Sequence, residues 1–193
     1  MLIDKEFLEK TFALAPEQHL AADESMRQGA VAQNRESTVL EGYDDDPENA
    51  FRKIERLLSV RDRSVFETVE RLQRDRFTDH AITDSVDRAL RCGYLDDARF
   101  AEGFIRSRLR ASKGINGIVR DLKAHRIDAS KIPGFPDVFL EEQGSQFDNA
   151  LRLLERKPPR AKNQKQAAYA KLIRNGFSSS VASSAVKAWI AER

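Results

Sequence analysis

Residues 93–110 decide the fold of this chain, and they read Gly93-Tyr94-Leu95-Asp96-Asp97-Ala98-Arg99-Phe100-Ala101-Glu102-Gly103-Phe104-Ile105-Arg106-Ser107-Arg108-Leu109-Arg110. A glycine adopts the left-handed conformation that closes a helix without steric cost, so Gly93 predicts a helix end. Either aspartate of the following pair can accept from the free amides of a new helix, which predicts an N-cap at Asp96 or Asp97. Apolar residues then recur three to five positions apart, at Phe100, at the pair Phe104 and Ile105, and at Leu109. This spacing predicts an amphipathic helix whose arginines face water.

An internal repeat of fifty residues extends the helical pattern along the chain. The step links five apolar columns: Phe77, Ile127 and Phe177; Leu72, Leu122 and Leu172; Ile54, Phe104 and Leu154; Ala89, Phe139 and Trp189; and Leu90, Leu140 and Ile190. A period of this length is typical of small tandem units that stack because none buries its apolar face alone. We therefore predict an all-α fold, an elongated, curved array of three tandem three-helix repeats at residues 49–93, 94–144 and 145–193.

Capping residues and helix breakers predict where each helix lies. In the first repeat the helices span 49–59, 64–74 and 79–91, with N-caps at Ser64, in a capping box with Glu67, and at Asp79. In the second repeat they span 97–110 and 114–124, and the run Pro133-Gly134-Phe135-Pro136 reduces the third to a turn at 128–131 and a short helix from Pro136. In the third repeat they span 146–157, 163–174 and 179–191.

Charge is distributed unevenly along the chain. Residues 1–49 hold 4 basic and 12 acidic side chains, whereas residues 50–193 hold 29 and 19. Residues 1–48 are predicted to be an acidic, largely disordered and flexible N-terminal extension, with one amphipathic helix before Pro16 as an alternative for its start. We hypothesise that this extension folds back on the basic body. A basic body indicates a polyanionic or acidic partner, or else a charge-rich surface that only confers solubility, and composition leaves both open.

Composition also bounds the cellular setting. Cys92 is the single cysteine, which excludes an internal disulfide and a cysteine zinc site and indicates a reducing, cytoplasmic environment. No apolar run approaches the roughly 20 residues of a membrane span, so we predict no membrane association. Tandem repeats already bury their own faces, which predicts a monomer.

Motifs for catalysis are missing from the sequence. The histidines at 19, 80 and 125 neither form an HExxH pattern nor pair recognisably with Cys92, and both phosphate-binding glycine motifs are absent. Helix capping explains the pair Asp96-Asp97 better than acid–base chemistry does. We therefore predict that the protein is not an enzyme and that it needs no metal and no cofactor.

Two basic clusters indicate a binding surface. The first contains Arg99, Arg106, Arg108, Arg110, Lys113, Arg120, Lys123 and Arg126; the second contains Arg152, Arg156, Lys157, Arg160, Lys162, Lys165, Lys171 and Arg174. Such density attracts phosphates or acidic protein surface, although solvated helix faces are the alternative for each residue. The third helices lack the arginine and asparagine pairs that read base edges, so contacts with single- or double-stranded DNA are predicted to be non-specific.

The stretch at 93–101 and the arginine-rich helix after it resemble the signature of the RecX family, regulatory proteins that bind the RecA recombinase. Lys113-Gly114, Ile118, Leu122 and Ile127 continue the resemblance, Arg61-Asp62-Arg63-Ser64 resembles the opening repeat, and the block from Leu172 to Ser178 resembles the closing one. Ala124-His125-Arg126 departs from the lysine-glycine turn of the family, and the acidic extension lies outside its pattern.

The resemblance implies a three-repeat helical protein that lodges in the groove of the RecA filament and inhibits its ATPase, strand exchange and coprotease activities, thereby regulating DNA repair and recombination. The implied partner- or DNA-binding residues are Arg99, Arg106, Arg108, Arg110, Lys113, Arg120, Lys123, Lys157, Arg160, Lys162 and Lys165. The structural motif that joins the first two repeats is Tyr94, Leu95, Asp96, Asp97 and Phe100. The alternative is a non-specific DNA-binding helical protein that competes for single-stranded DNA.

Overall fold

The computed structural model describes residues 42–192, and that part of the chain is all-α, as predicted. Residues 1–41, and with them most of the predicted acidic extension, lie outside the described residues. The helices are α1 (Pro47–Leu58), α2 (Val65–Arg74), α3 (Asp79–Arg91), α4 (Asp97–Arg110), α5 (Ile115–Ala124), α6 (Asp137–Gln143), α7 (Gln146–Arg156), α8 (Gln164–Arg174) and α9 (Ser179–Ala191), with a 3₁₀ turn at Ala129–Lys131 between α5 and α6. Between residues 42 and 192, no helix has both the length and the apolar character needed to cross a bilayer.

Side-chain caps decide where the helices begin. Ser64 caps α2 as predicted, because its hydroxyl accepts from the amide of Glu67 at 3.1 Å. The prediction for α3 was wrong by one residue: Thr78 is the N-cap and accepts from the amide of Ala81 at 3.2 Å. Asp79 is instead the first helical residue, where its charge faces the positive end of the helix dipole. Both Thr78 and Asp79 suit a helix start, so the choice depends on the path of the preceding loop.

The helices form three groups, each around its own hydrophobic cluster. Group 1 consists of α1–α3, group 2 of α4–α6 with the 3₁₀ turn, and group 3 of α7–α9. Their fully buried large side chains are Ile54, Leu72 and Ile82 in group 1, Ile105, Leu109, Ile118 and Leu122 in group 2, and Leu154 and Leu172 in group 3. Each group therefore removes its own apolar surface from water, which is the main source of its stability.

The fifty-residue period corresponds to a repeated backbone turn at the end of the middle helix of each group. Its left-handed residue is Arg76 (φ 63°), Arg126 (φ 59°) or Gly176 (φ 88°). The amide of the next residue, Phe77, Ile127 or Phe177, donates to the carbonyl of Leu72, Leu122 or Leu172 at 3.1, 3.0 and 3.1 Å. This is a Schellman motif, in which an apolar residue follows the left-handed position and returns to the helix it closes. Two of the predicted apolar columns thus have a common structural cause.

Candidate partner-binding surface

Groups 1 and 2 are joined where the start of α2 meets the residues after α5. The amide of Val65 donates to Asp97 Oδ1 at 2.8 Å, so Asp97 caps α2 of the preceding group, whereas Asp96 caps its own helix α4. Ser64 Oγ lies 3.1 Å from His125 Nδ1. The Arg126 guanidinium lies 4.8 Å from the centroid of the Phe66 ring. Polar and cation–π contacts therefore hold the two groups together.

The predicted motif residues line this junction or the link that precedes it. Leu95 is buried in the cluster of group 1, and the Tyr94 ring stacks on Phe51 with centroids 5.8 Å apart. Phe100 packs against the imidazole of His125, with ring centroids 5.1 Å apart. The link between α3 and α4 is further fixed by Arg99, which donates to the carbonyls of Gly93 and Tyr94 at 3.1 and 3.0 Å.

The half-buried carboxyl of Asp97 makes stability depend on pH. Burial raises its pKa above the ordinary 3.8, and Asp96 acts in the same direction, against the amide of Val65 and His125. A raised pKa means that the folded state favours the protonated form, so this stabilisation is present below pH 3.8 and is lost as pH rises through the folded-state pKa.

We expect Asp97→Asn, which keeps an acceptor oxygen for Val65, to match the wild type at acidic pH and to become relatively more stable as pH rises. The gain in unfolding free energy amounts to about 1.4 kcal/mol for each unit by which the pKa of Asp97 is higher in the folded than in the unfolded state. Urea unfolding at several pH values measures it, with Asp62→Asn, at an exposed aspartate, for comparison. A constant stability difference across this pH range would contradict the role given to Asp97.

Groups 2 and 3 meet at the equivalent place through close backbone packing. The amide of Gly114 donates to the carbonyl of Asn175 at 3.0 Å, and the amide of Ile115 donates to Gln146 Oε1 at 2.9 Å. A Cβ on Gly114 would lie 2.3 Å from the carbonyl carbon of Gly176. At both junctions the start of a middle helix receives the Schellman turn of the next group. At both junctions, the first residue of the next group's first helix also caps this middle helix with its side chain. That residue is Asp97 at the first junction and Gln146 at the second.

Some predicted site cations are engaged inside group 2. Arg106 pairs with Glu142 at 2.8 Å and with Glu102 at 3.1 Å, and these hydrogen bonds raise the pKa of the guanidinium and lower that of Glu142. Arg108 lies 3.5 Å from Asp121, which also pairs with Lys113. These ion pairs connect α4 with α5 and α6, and they partly neutralise the charge of the three cations within the fold.

The other predicted cations are exposed and have no ion pair among residues 42–192; they are Arg110, Arg120, Lys123, Lys157, Arg160, Lys162 and Lys165. Within the described part of group 3, the acidic side chains are Asp148, Glu155 and Glu192, and none of them pairs with a cation. Among the predicted site cations, the free positive charge therefore lies on group 3 and on α4 and α5 of group 2. Such a surface attracts phosphates or carboxylates.

Two cations of the second basic cluster that were not among the predicted site residues also belong to this surface. Arg156 donates to the carbonyl of Ala111 at 3.3 Å, which places it beside the end of α4 and its terminal Arg110. Lys171 donates to the carbonyl of Lys157. Burial lowers the pKa of Lys171, and the positive charges of Lys157 and Arg156 act in the same direction. The excess of cations over acids in residues 145–192 was the available sequence signal, but it could not show that they converge across two groups.

Known proteins with a similar sequence or fold were compared with this chain. Residues 96–132 match the family described as "RecX, second three-helix domain". The regulatory protein RecX of Legionella pneumophila is 31% identical over 144 residues, which cover 72% of this chain and 93% of that protein. The regulatory protein RecX of Bacillus licheniformis is 28% identical over 185 residues, which cover 94% of this chain and 70% of that protein.

Solved structures share the fold. The crystal structure of RecX from Lactobacillus salivarius superimposes with a TM-score of 0.58 at 18% identity, covering 76% of this chain and 97% of that one. A second RecX crystal structure gives a TM-score of 0.55 at 21% identity. The family match includes Asp96 and the arginine-rich helix that follows it. The similarity to the Legionella protein extends over 72% of the chain. The chain belongs to the RecX family of regulatory proteins.

Proposed function

We propose that this protein is a non-catalytic regulator that binds the RecA nucleoprotein filament and inhibits its ATPase, strand exchange and coprotease activities in the cytoplasm. The proposed binding body is an elongated, curved array of the three repeats at 49–93, 94–144 and 145–193, one for each hydrophobic cluster. A filament of this kind presents both DNA phosphates and acidic protein surface. A long helical array suits it, because successive repeats contact successive parts of the partner.

The observation that carries the proposal is the free positive charge of group 3 and of helices α4 and α5 in group 2. Arg110, Arg120, Lys123, Lys157, Arg160, Lys162 and Lys165 are exposed and unpaired in the described part of the chain. Exposed ion pairs contribute little to stability, but unpaired cations in a cluster steer a polyanion and release its counterions on binding. We assign the phosphate contacts to these residues, and we assign to Arg99, Arg106, Arg108 and Lys113 a mainly structural role.

A second candidate function is non-specific DNA binding, in which the protein only competes with RecA for single strands. The same cationic surface favours it, since phosphate contacts alone support such binding. The two functions differ in stoichiometry, because a filament regulator acts on many RecA subunits at once whereas a competitor must cover the DNA.

Titrating the protein into a RecA ATPase assay on single-stranded DNA separates the two functions. We expect inhibition at protein concentrations well below that of RecA, with little dependence on added excess DNA. Inhibition that appears only when the protein saturates the DNA, and that excess DNA relieves, would instead assign it to simple competition. A DNA-independent ATPase provides the specificity control.

A further inference from the structure

The outer face of group 3 corresponds to the faces that hold the next group in groups 1 and 2, but it is open to solvent. Ser64 and Val65 at the start of α2 are 0% and 1% exposed because group 2 covers them, and Gly114 at the start of α5 is buried against group 3. In the first turn of α8, by contrast, Lys165 and Gln166 are exposed. Among residues 42–192, no fourth group covers this position.

A groove adjoins this open turn. Its volume is about 350 Å³, and its lining consists of Asn163, Lys165, Gln166 and Tyr169 from the start of α8 with Ser183 and Val186 from α9. Tyr169 is 38% exposed, and one turn further along their helices Ile173 and Ile190 are 39% and 40% exposed. An exposed tyrosine in a groove that is otherwise lined mainly by polar side chains is typical of a protein-binding surface.

The opposite end of the described chain is closed. The Schellman turn of group 1 would be the element that docks on a preceding group, but Asp44 covers it. Asp44 accepts from the amide of Thr78 at 3.0 Å and donates its own amide to the carbonyl of Arg76 at 2.9 Å. The Asp44 carboxylate is held in turn by the side-chain amide of Asn49 at 3.1 Å. A second copy therefore cannot attach head to tail through these contacts unless Asp44 is displaced.

The charge around the groove specifies the occupant. Lys165 lines it, Arg160 and Lys162 lie in the loop that leads into α8, and no acidic side chain is among the lining residues. At the two internal junctions, the matching face receives a helix-closing turn together with a side-chain oxygen, from Asp97 or from Gln146. An acidic helix end from another protein combines the same shape with the opposite charge.

We propose that the outer face of group 3 is a protein-docking site that binds a helix end of an acidic partner, with an apolar side chain of the partner inserted between Tyr169 and Val186. This inference rests on the proposed function, and the partner is then a protein subunit of the filament rather than its DNA. The groove itself is lined mainly by uncharged side chains, and it overlaps the cations assigned to phosphate contacts at Lys165 alone.

Ser183→Arg tests the docking site by filling the groove. Ser184→Arg is the matched control, since Ser184 is also exposed on α9 and receives the same charge but does not line the groove. Fluorescence anisotropy measures binding of each full-length variant to RecA filaments on single-stranded DNA and to single-stranded DNA alone. We expect Ser183→Arg to weaken filament binding at least about tenfold relative to Ser184→Arg, a change of about 1.4 kcal/mol, with equal binding to DNA alone.

Each other outcome is decisive. Equal filament binding by the two variants shows that the groove is not a docking site, whereas a wild type that binds DNA but not the filament overturns the proposed function itself. Tighter filament binding by Ser183→Arg assigns the face to the acidic extension of this chain. A wild-type dimer in sedimentation that Ser183→Arg dissociates assigns it to a second copy. Either result contradicts the proposal. If Ser183→Arg fails to fold by circular dichroism, Tyr169→Ala repeats the test by removing the groove wall.

Discussion

Replacing Gly114 by alanine is expected to destabilise the protein by about 3 kcal/mol, at the upper end of the usual cost of overpacking. The new methyl group would lie 2.3 Å from the carbonyl carbon and oxygen of Gly176 and from the amide nitrogen of Phe177. These are backbone atoms, which cannot rotate away as a side chain can. The clash therefore separates groups 2 and 3 and breaks the bond from the Gly114 amide to the Asn175 carbonyl.

Gly103→Ala is the matched control, because a Cβ at Gly103 in α4 meets no atom within 4 Å. It should stabilise the protein by about 0.7 kcal/mol through the lower backbone entropy of alanine. Chemical unfolding followed by circular dichroism measures both changes. The single tryptophan, Trp189, is buried in the cluster of group 3 and reports on that group separately. Equal midpoints for Gly114→Ala and the wild type would show that the junction does not depend on close backbone contact.

The second large effect is expected from neutralising Lys157, Arg160 and Lys162 together with alanine. If each residue contacts one phosphate of single-stranded DNA, the slope of log K for DNA binding against log salt concentration becomes shallower. The change is roughly 0.7 per residue, about 2 in total. At 0.15 M salt the same relation gives a loss of about fiftyfold in affinity. The stability of the fold should change little, because these side chains are exposed and have no ion pair in residues 42–192.

The control for this triple variant removes the same charge from group 1, at Arg56, Arg74 and Arg91, which are exposed and also lack ion pairs in the described part. DNA titrations at several salt concentrations and the RecA ATPase assay both apply. Equal losses in the two triple variants would show that net charge, and not the surface on group 3, drives binding. If the salt dependence of DNA binding is unchanged in the group 3 variant, the proposed phosphate contacts are contradicted.

Local signals were sufficient for much of the fold. Gly93 does adopt a left-handed conformation, at φ 71°, and Asp96 does cap the helix that begins at Asp97. Helix ends were predictable because capping involves residues within a few positions of one another. The wrong N-cap for α3 and the unforeseen capping of α2 by Asp97 have the same cause. Where neighbouring polar residues can each cap a helix, segments distant in sequence determine which of them does so.

The helical class, the fifty-residue period and the resemblance to the RecX family could be inferred from the order of the residues alone, because helix patterning and capping are local and the repeat is a property of the residue order. Which cations are free could be seen only once the helices were packed. Arg106 meets Glu142 across 36 residues, whereas Lys157, Arg160 and Lys162 meet no carboxylate in the described residues. Pairing of charges and burial of a face depend on distances between groups, and those distances follow from packing rather than from the order of the residues.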